Sequence, residues 1–160
     1  MTPAARQRTL LAVIAALLLV IAGMAYKFIV AGSVVAAPDG RRTIVLADGE
    51  RAFVLAEMRG FVVGLQKLTD ALARDDMKAA AAAASSMGMA AAHDVPGTLV
   101  AKLPLEFKTM GFGVHREFDA IALDAQSLGD PKHTLKQLAA TLAQCVACHA
   151  TYQFALAPGR

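Results

Sequence analysis

The chain has 160 residues, 56% of them hydrophobic, and a formal net charge of +3 at pH 7. This length accommodates one modest domain with an appendage. Arg6, Arg8 and Lys27 account for the whole net charge, because the chain after residue 37 carries equal numbers of basic and acidic side chains. A formally neutral domain argues against binding to nucleic acids.

The first element is an apolar segment near the N-terminus. Residues 9–26 contain no charged side chain, and a helix of this length rises about 27 Å, close to the hydrocarbon thickness of a bilayer. We therefore predict one transmembrane helix over residues 9–30, after a cytoplasmic N-terminus of residues 1–8. The alternative is a signal peptide cleaved near residues 34–36, although the apolar region of signal peptides is usually shorter.

The segment after the apolar run, residues 31–48, contains glycine, proline and two adjacent arginines. This composition predicts a linker, with a short extended piece at Thr43–Leu46. Asp48 is placed to cap a helix that begins immediately afterwards. The apolar residues of that helix alternate in steps of four and three, which predicts one buried face: Val54, Met58, Phe61, Leu65, Leu68 and Leu72.

Three more helical segments follow. An alanine-rich run begins after Asp76, and an irregular crossover with a helical turn inside it leads to a third helix whose buried face runs from Val114 to Leu128. Gly129-Asp130-Pro131 ends that helix and starts the fourth, whose predicted buried face includes Leu135, Leu138, Leu142 and the residues discussed next. With almost no strand signal, the pattern predicts an all-α fold: an antiparallel four-helix bundle over residues 49–155, followed by a tail at 156–160.

Both cysteines of the chain lie in one short motif, Cys145-Val-Ala-Cys148-His149, on the fourth helix. Residues three and four apart share a helical face, so we expect the two thiols and the imidazole to point together into the bundle. Two thiols at this spacing, followed by a histidine, form the attachment signature of a c-type haem. The motif predicts one covalent haem c, bound through Cys145 and Cys148, with His149 as an iron ligand.

Such a motif has two alternative uses. A redox-active cysteine pair favours the start of a helix in a βαβ setting, whereas this pair lies near the end of a helix. Half of a zinc site would need a second pair of ligands, but His93, His115 and His133 are scattered along the chain. Haem c is attached outside the cytoplasmic membrane in bacteria, so we predict a single-pass protein of that membrane with its C-terminal domain in the periplasm.

At these residues the chain resembles the class II cytochromes c, the cytochrome c-prime type, which are four-helix bundles with the attachment motif near the C-terminus. The resemblance covers residues 49–155 and is carried by "QCVACHATYQF", "LAEMRGFVVGLQKL" and "KLPLEFK". Two features depart from the family. Gln153 stands where a basic residue is common, and family members are usually soluble, whereas this chain has an apolar N-terminal segment.

The resemblance implies two possibilities for the sixth iron position. In one branch of the family a methionine of the first helix binds the iron and the protein carries electrons. Met58-Arg59 resembles that branch, which makes Met58 the expected second metal ligand beside His149. In the other branch the iron is five-coordinate beneath an apolar side chain and binds nitric oxide or carbon monoxide. Val62 and Val63 fall where that branch has its apolar residue.

Other residues are expected around the haem. Arg59 is suited to a haem propionate, because guanidinium groups bind carboxylates well, and an ordinary solvated arginine is the alternative. Phe61, Val62 and Tyr152 are expected to pack in the haem pocket or the core. His115, one step off the buried face of its helix, is a less favoured alternative to Met58.

The sequence thus predicts a membrane-tethered electron-transfer cytochrome rather than an enzyme. Its expected partners are membrane and periplasmic redox proteins and the bilayer itself, and a homodimer is left open. A five-coordinate binder of nitric oxide or carbon monoxide is one alternative function. An accessory or sensor subunit of a membrane redox complex is another.

Overall fold

A computed structural model describes residues 2–157, which are 72% helical and contain six α-helices and three short strands. The helices are α1 (Pro3–Ala25), α2 (Asp48–Ala73), α3 (Met77–Ser85), α4 (Gly97–Val100), α5 (Leu105–Leu128) and α6 (Pro131–Thr151). The strands are β1 (Val34–Ala36), β2 (Arg42–Leu46) and β3 (Tyr152–Leu156). The fold is therefore mostly helical, but it is not all-α as predicted.

The N-terminal helix is apolar and uncovered. α1 continues through a π-helical segment, Tyr26–Ala31, so that one helix runs over the 29 residues Pro3–Ala31. Its mean hydropathy is 2.5 over the most apolar window, and none of that window is buried. This helix is long and apolar enough to cross a membrane, which confirms the predicted N-terminal apolar helix.

The end of this helix packs directly on the folded domain. Gly32 has φ +65°, and a Cβ there would lie 2.5 Å from the carbonyl oxygen of Lys102. The Ser33 N–H donates to the same carbonyl at 2.7 Å, and Lys108 Nζ donates to the carbonyl oxygen of Phe28 at 3.1 Å. These contacts join the apolar helix to the region just before and within α5.

The three strands form one small sheet in the order β1–β2–β3. β1 pairs with β2 in antiparallel orientation, and β2 pairs with β3 in parallel orientation. Ile44 and Leu46 on β2 are completely buried. The extended piece predicted at Thr43–Leu46 is confirmed as part of β2, but the linker predicted around it is wrong, because β1 and β2 belong to a folded sheet. The expectation failed because β2 obtains its second hydrogen-bonding partner from the far end of the chain, which local composition cannot reveal.

Helix boundaries follow the predictions in part. Asp48 was predicted to cap α2, but it is the first residue of the helix and Ala47 occupies the cap position. The Ala47 N–H donates to the Glu50 carboxylate at 2.8 Å. α5 begins at Leu105, inside the predicted crossover. The start of α6 is as predicted. Gly129 has φ +62° and ends α5, and Asp130 Oδ1 accepts from the N–H groups of Lys132 and His133.

The core consists of two clusters. The first, here called the helical cluster, is formed by residues of α2, α3, α5 and α6 and by Met87 after α3. The second, the mixed cluster, is formed by residues of β2, β3, α2 and α4 and by Leu103 after α4. The buried members of the helical cluster are Leu68, Ala71, Ala80, Ala83, Ala84, Met87, Phe118, Ile121 and Leu138. Those of the mixed cluster are Ile44, Leu46, Val54, Leu99, Leu103 and Tyr152.

One side of the helical assembly is open. α3 packs against α2 and α5, and α5 packs against α6, but α2 and α6 hardly contact each other within the described residues. Leu135, predicted to be core, is 55% exposed, and Leu128 and Leu142 are also exposed. Those three predictions were wrong, because no neighbouring element of the described chain covers these edges of α5 and α6.

Candidate functional site

The cysteine–histidine motif lies in the last two turns of α6. Cys145 and Cys148 are half-buried free thiols, one turn apart. His149 is exposed and makes no hydrogen bond with the described residues. Its side chain therefore does not point into the interior as expected, because no element of the described chain covers it. The three side chains still lie on one side of the helix, as their spacing requires.

The surroundings of the two thiols keep them protonated. Burial raises the pKa of Cys145, and the negative charge of Glu117 raises it further. Burial also raises the pKa of Cys148, with a smaller contribution from Cys145. Cysteines of redox-active pairs have a lowered pKa, near a helix N-terminus or a cation. The electrostatics of this pair are the opposite of those that such chemistry needs.

Met58 and Cys148 belong to the same part of the core. Both side chains are half-buried and pack against the mixed cluster, Met58 from α2 and Cys148 from α6. A thioether of α2 and a thiol of α6 therefore adjoin the same core cluster, although they are far apart in sequence. Arg59, the neighbour of Met58, is exposed and makes no hydrogen bond or ion pair with the described residues.

The other residues predicted for the haem pocket separate into different environments. Val62 and Val63 are exposed on α2, Val62 by 66%. Phe61 packs against the helical cluster, where its ring centroid lies 5.8 Å from that of Phe118 and 5.1 Å from that of His115. Phe61 is thus not in the cluster that contains Cys148.

Tyr152 follows the motif and anchors the end of α6. It is buried, and its hydroxyl donates to Glu106 Oε2 at 2.9 Å and accepts from Arg42 Nη1 at 3.0 Å. Burial and the hydrogen bond to Glu106 raise the pKa of Tyr152. The Tyr152 hydroxyl and the Arg42 guanidinium lower the pKa of Glu106. Sequence reasoning missed Arg42 and Glu106. The pairing of β2 with β3 brings Arg42 to Tyr152, and Glu106 reaches the same hydroxyl from the first turn of α5.

A second polar pair adjoins Cys145. Gln144 Nε2 donates to Glu117 Oε1, while Glu117 Oε2 is buried without a hydrogen-bond partner in the described chain. Burying a carboxylate oxygen without a hydrogen-bond partner lowers the stability of the fold. The charge of this carboxylate also acts on the neighbouring thiol of Cys145. Glu117 was not singled out from the sequence. The sequence signal for its partial burial was its position next to Phe118, a core residue of α5.

The remaining histidines lie away from the motif. His115 is only 7% exposed, so its prediction as a residue off the buried face was wrong, and its Nδ1 donates to the carbonyl oxygen of Met87 at 2.8 Å. His133 contacts Asp124, and His93 is exposed. Between residues 2 and 157, no group of three or more histidine, cysteine, aspartate or glutamate side chains could hold a metal ion. A zinc site therefore has no second half in this region.

Comparison of the chain with models of protein families, with curated proteins and with solved structures found no match.

Proposed function

We propose that this chain is a membrane-tethered periplasmic cytochrome that carries electrons through one covalently bound haem c. In this proposal α2, α3, α5 and α6 form a four-helix bundle that is completed by the cofactor. Cys145 and Cys148 would hold the group through thioether bonds, and His149 would bind its iron. The bound haem would supply a centre that gains and loses one electron. The protein would have no catalytic residues of its own.

The observation that carries the proposal is the arrangement of the motif on α6. Two thiols one turn apart, each half-buried, stand beside an exposed imidazole that has no partner in the described chain. The raised pKa of both thiols disfavours the main alternative use of such a pair, thiol–disulfide exchange.

The residues present also fit a large apolar cofactor. Both α2 and α6 carry apolar side chains that are uncovered: Val62 on α2 is 66% exposed, and Val146 and Leu142 on α6 are 70% and 38% exposed. Exposed apolar side chains along two helices that hardly touch are typical of a binding groove. A haem between α2 and α6 would cover them and supply the missing contact between these helices.

Met58 is the proposed sixth ligand, supported by its packing with Cys148 against the mixed cluster. A thioether opposite an imidazole raises the reduction potential and suits electron transfer. The second candidate function is a five-coordinate haem that binds nitric oxide or carbon monoxide. It follows if the packing of Met58 against the mixed cluster is purely structural, since a methionine in such a place fills space without binding iron.

The apolar N-terminal helix supports a membrane location. The domain follows it with no flexible spacer, since Gly32 and Ser33 pack on the Lys102 carbonyl. We propose that the domain lies at the periplasmic face and meets membrane and periplasmic redox proteins there. A reporter enzyme fused at the C-terminus should be active only in the periplasm, and activity in the cytoplasm would contradict this orientation.

Covalent attachment is tested by expressing the full chain in a bacterium with an intact cytochrome c maturation system. Acidified acetone should leave the pigment on the wild-type protein. Cys145→Ser with Cys148→Ser should abolish the covalent pigment. His149→Ala should alter the iron spectrum, whereas His93→Ala, a change of another exposed histidine, should not. A colourless wild-type protein would overturn the proposal.

The sixth ligand is tested by comparing Met58→Ala with Met110→Ala. Both methionines pack against the mixed cluster, so both variants lose similar packing. Only Met58→Ala should convert low-spin iron to high-spin and open the site to carbon monoxide. A wild-type protein that is high-spin and binds carbon monoxide would favour the second candidate function. If Met58→Ala stays low-spin, the ligand is another residue.

A further inference from the structure

A cavity of about 330 Å³ lies between α2, the segment after α3 and α5, apart from the cysteine–histidine motif. Its apolar lining includes Phe53 and Phe61. Its polar lining consists of Glu57, Ser86 and His115. Neither Met58 nor any residue of the motif lines it, so the cofactor proposed above leaves it unexplained.

The imidazole of His115 offers the cavity an acceptor. Its Nδ1 faces the carbonyl oxygen of Met87 at 2.8 Å, and a carbonyl only accepts, so Nδ1 carries the hydrogen. In the neutral ring the lone pair is then on Nε2, which has no partner in the described chain. His115 is only 7% exposed and it lines the cavity, so the cavity is the place where a ligand can contact this imidazole.

The other two polar groups are acceptors as well. The hydroxyl of Ser86 donates its hydrogen to the carbonyl oxygen of Ala83 at 2.7 Å, which leaves only its lone pairs for the cavity. Glu57 lines the cavity, is half-buried and makes no hydrogen bond or ion pair with the described residues. When ionised, its carboxylate can only accept. The cavity therefore presents three acceptors, one of them anionic, and no donor from these side chains.

A primary ammonium group matches this set, because it is a cation with three N–H donors and no acceptor. Aromatic side chains such as Phe53 and Phe61 also favour a cation or an apolar body beside them. We propose that the cavity binds a small organic amine in its protonated form, with its ammonium group on Glu57, His115 and Ser86 and its apolar body against the two phenylalanines.

The test uses the full chain in detergent micelles, with benzylamine as the probe at a pH where it is protonated. Isothermal titration calorimetry, corrected with protein-free micelles, should show saturable binding of one benzylammonium ion per chain. Benzyl alcohol has nearly the same shape without the charge, and it should bind at least about tenfold more weakly, since hydrogen bonds to charged groups are the stronger ones.

Glu57→Gln keeps the shape of the side chain and removes its charge, and it should weaken benzylammonium binding by about tenfold or more. Asp70→Asn makes the same change in charge on the same helix outside the cavity, and it should leave the affinity unchanged. Ser86→Ala should weaken binding several-fold while the far-ultraviolet circular dichroism stays that of the wild type.

Three results would overturn the proposal. They are the absence of saturable binding to the wild type, equal affinities in Glu57→Gln and Asp70→Asn, and equal affinities for benzylamine and benzyl alcohol. None of these measurements involves the pigment, so their outcome is independent of the haem proposal.

Discussion

The two core clusters differ in how the chain builds them. The helical cluster collects side chains from helices whose apolar periodicity is visible in the sequence, such as Leu68, Phe118 and Leu138. The mixed cluster joins β2, α4 and the start of β3, which are far apart in the chain. Met58 and Cys148 pack against the mixed cluster. The candidate cofactor site therefore depends on the part of the core that is least evident from local patterns.

The helices around the two clusters also differ in how completely they pack. Packing in the helical cluster is continuous from α2 through α3 and α5 to α6. By contrast, α2 and α6 hardly contact each other within the described residues, and both carry exposed apolar side chains, among them Val62 and Val146.

The largest effect is expected in the helical cluster. Phe118 is completely buried, so Phe118→Ala should lower the free energy of unfolding by about 3–5 kcal/mol. Leu123→Ala, on the same helix but 64% exposed, should change it by about 0.5 kcal/mol at most. Urea unfolding of the full chain in mild detergent, followed by circular dichroism, measures both. Similar losses in the two variants would contradict the assigned burial.

The mixed cluster should be nearly as sensitive. Ile44 is completely buried, so Ile44→Ala should cost about 2–5 kcal/mol in the same unfolding measurement. Val35→Ala, on the neighbouring strand with Val35 52% exposed, is the control and should cost much less. If residues 31–48 were a linker, both substitutions would be neutral, and that result would remove the strands from the core.

A smaller effect is expected where α6 meets β3. Tyr152→Phe removes the hydroxyl that bonds Glu106 and Arg42, so the pKa of Glu106 should rise toward its usual value. A carboxyl group whose pKa is lowered by folding stabilises the folded state at any pH above the usual carboxyl pKa. This stabilisation is lost as the pH falls through the lowered pKa. The stability difference between Tyr152→Phe and the wild type should therefore shrink in acid. Carboxyl titration by nuclear magnetic resonance would show the shift, and an unchanged pKa of Glu106 would contradict the contact.

The smallest effect concerns Glu57 between the two clusters. Burial raises its pKa, so the folded state holds this proton more tightly than the unfolded state does. Stability should then fall as the pH rises from the usual glutamate pKa through the raised value. Glu57→Gln should raise the melting temperature slightly at pH 7 but not at pH 4. A lower melting temperature at pH 7 would show that the charge is stabilised by a partner.

Several features could be predicted from the sequence because their causes are local. The uncharged run of residues 9–26 is apolar enough to form the N-terminal helix, whatever surrounds it. The spacing of Cys145, Cys148 and His149 places them on one side of any helix that contains them. Gly129 and Pro131 end one helix and start the next through backbone preferences of their own.

Other features were decided only by tertiary contacts. β2 is a strand because β3 returns beside it, and this pairing carries Arg42 to Tyr152. His115 is buried because the carbonyl of Met87 faces its Nδ1. Leu135 is exposed although it lies on a predicted apolar face, because no described element covers that edge of α6. Periodicity reports which side of a helix is apolar, but which neighbour covers that side depends on contacts between residues distant in the chain.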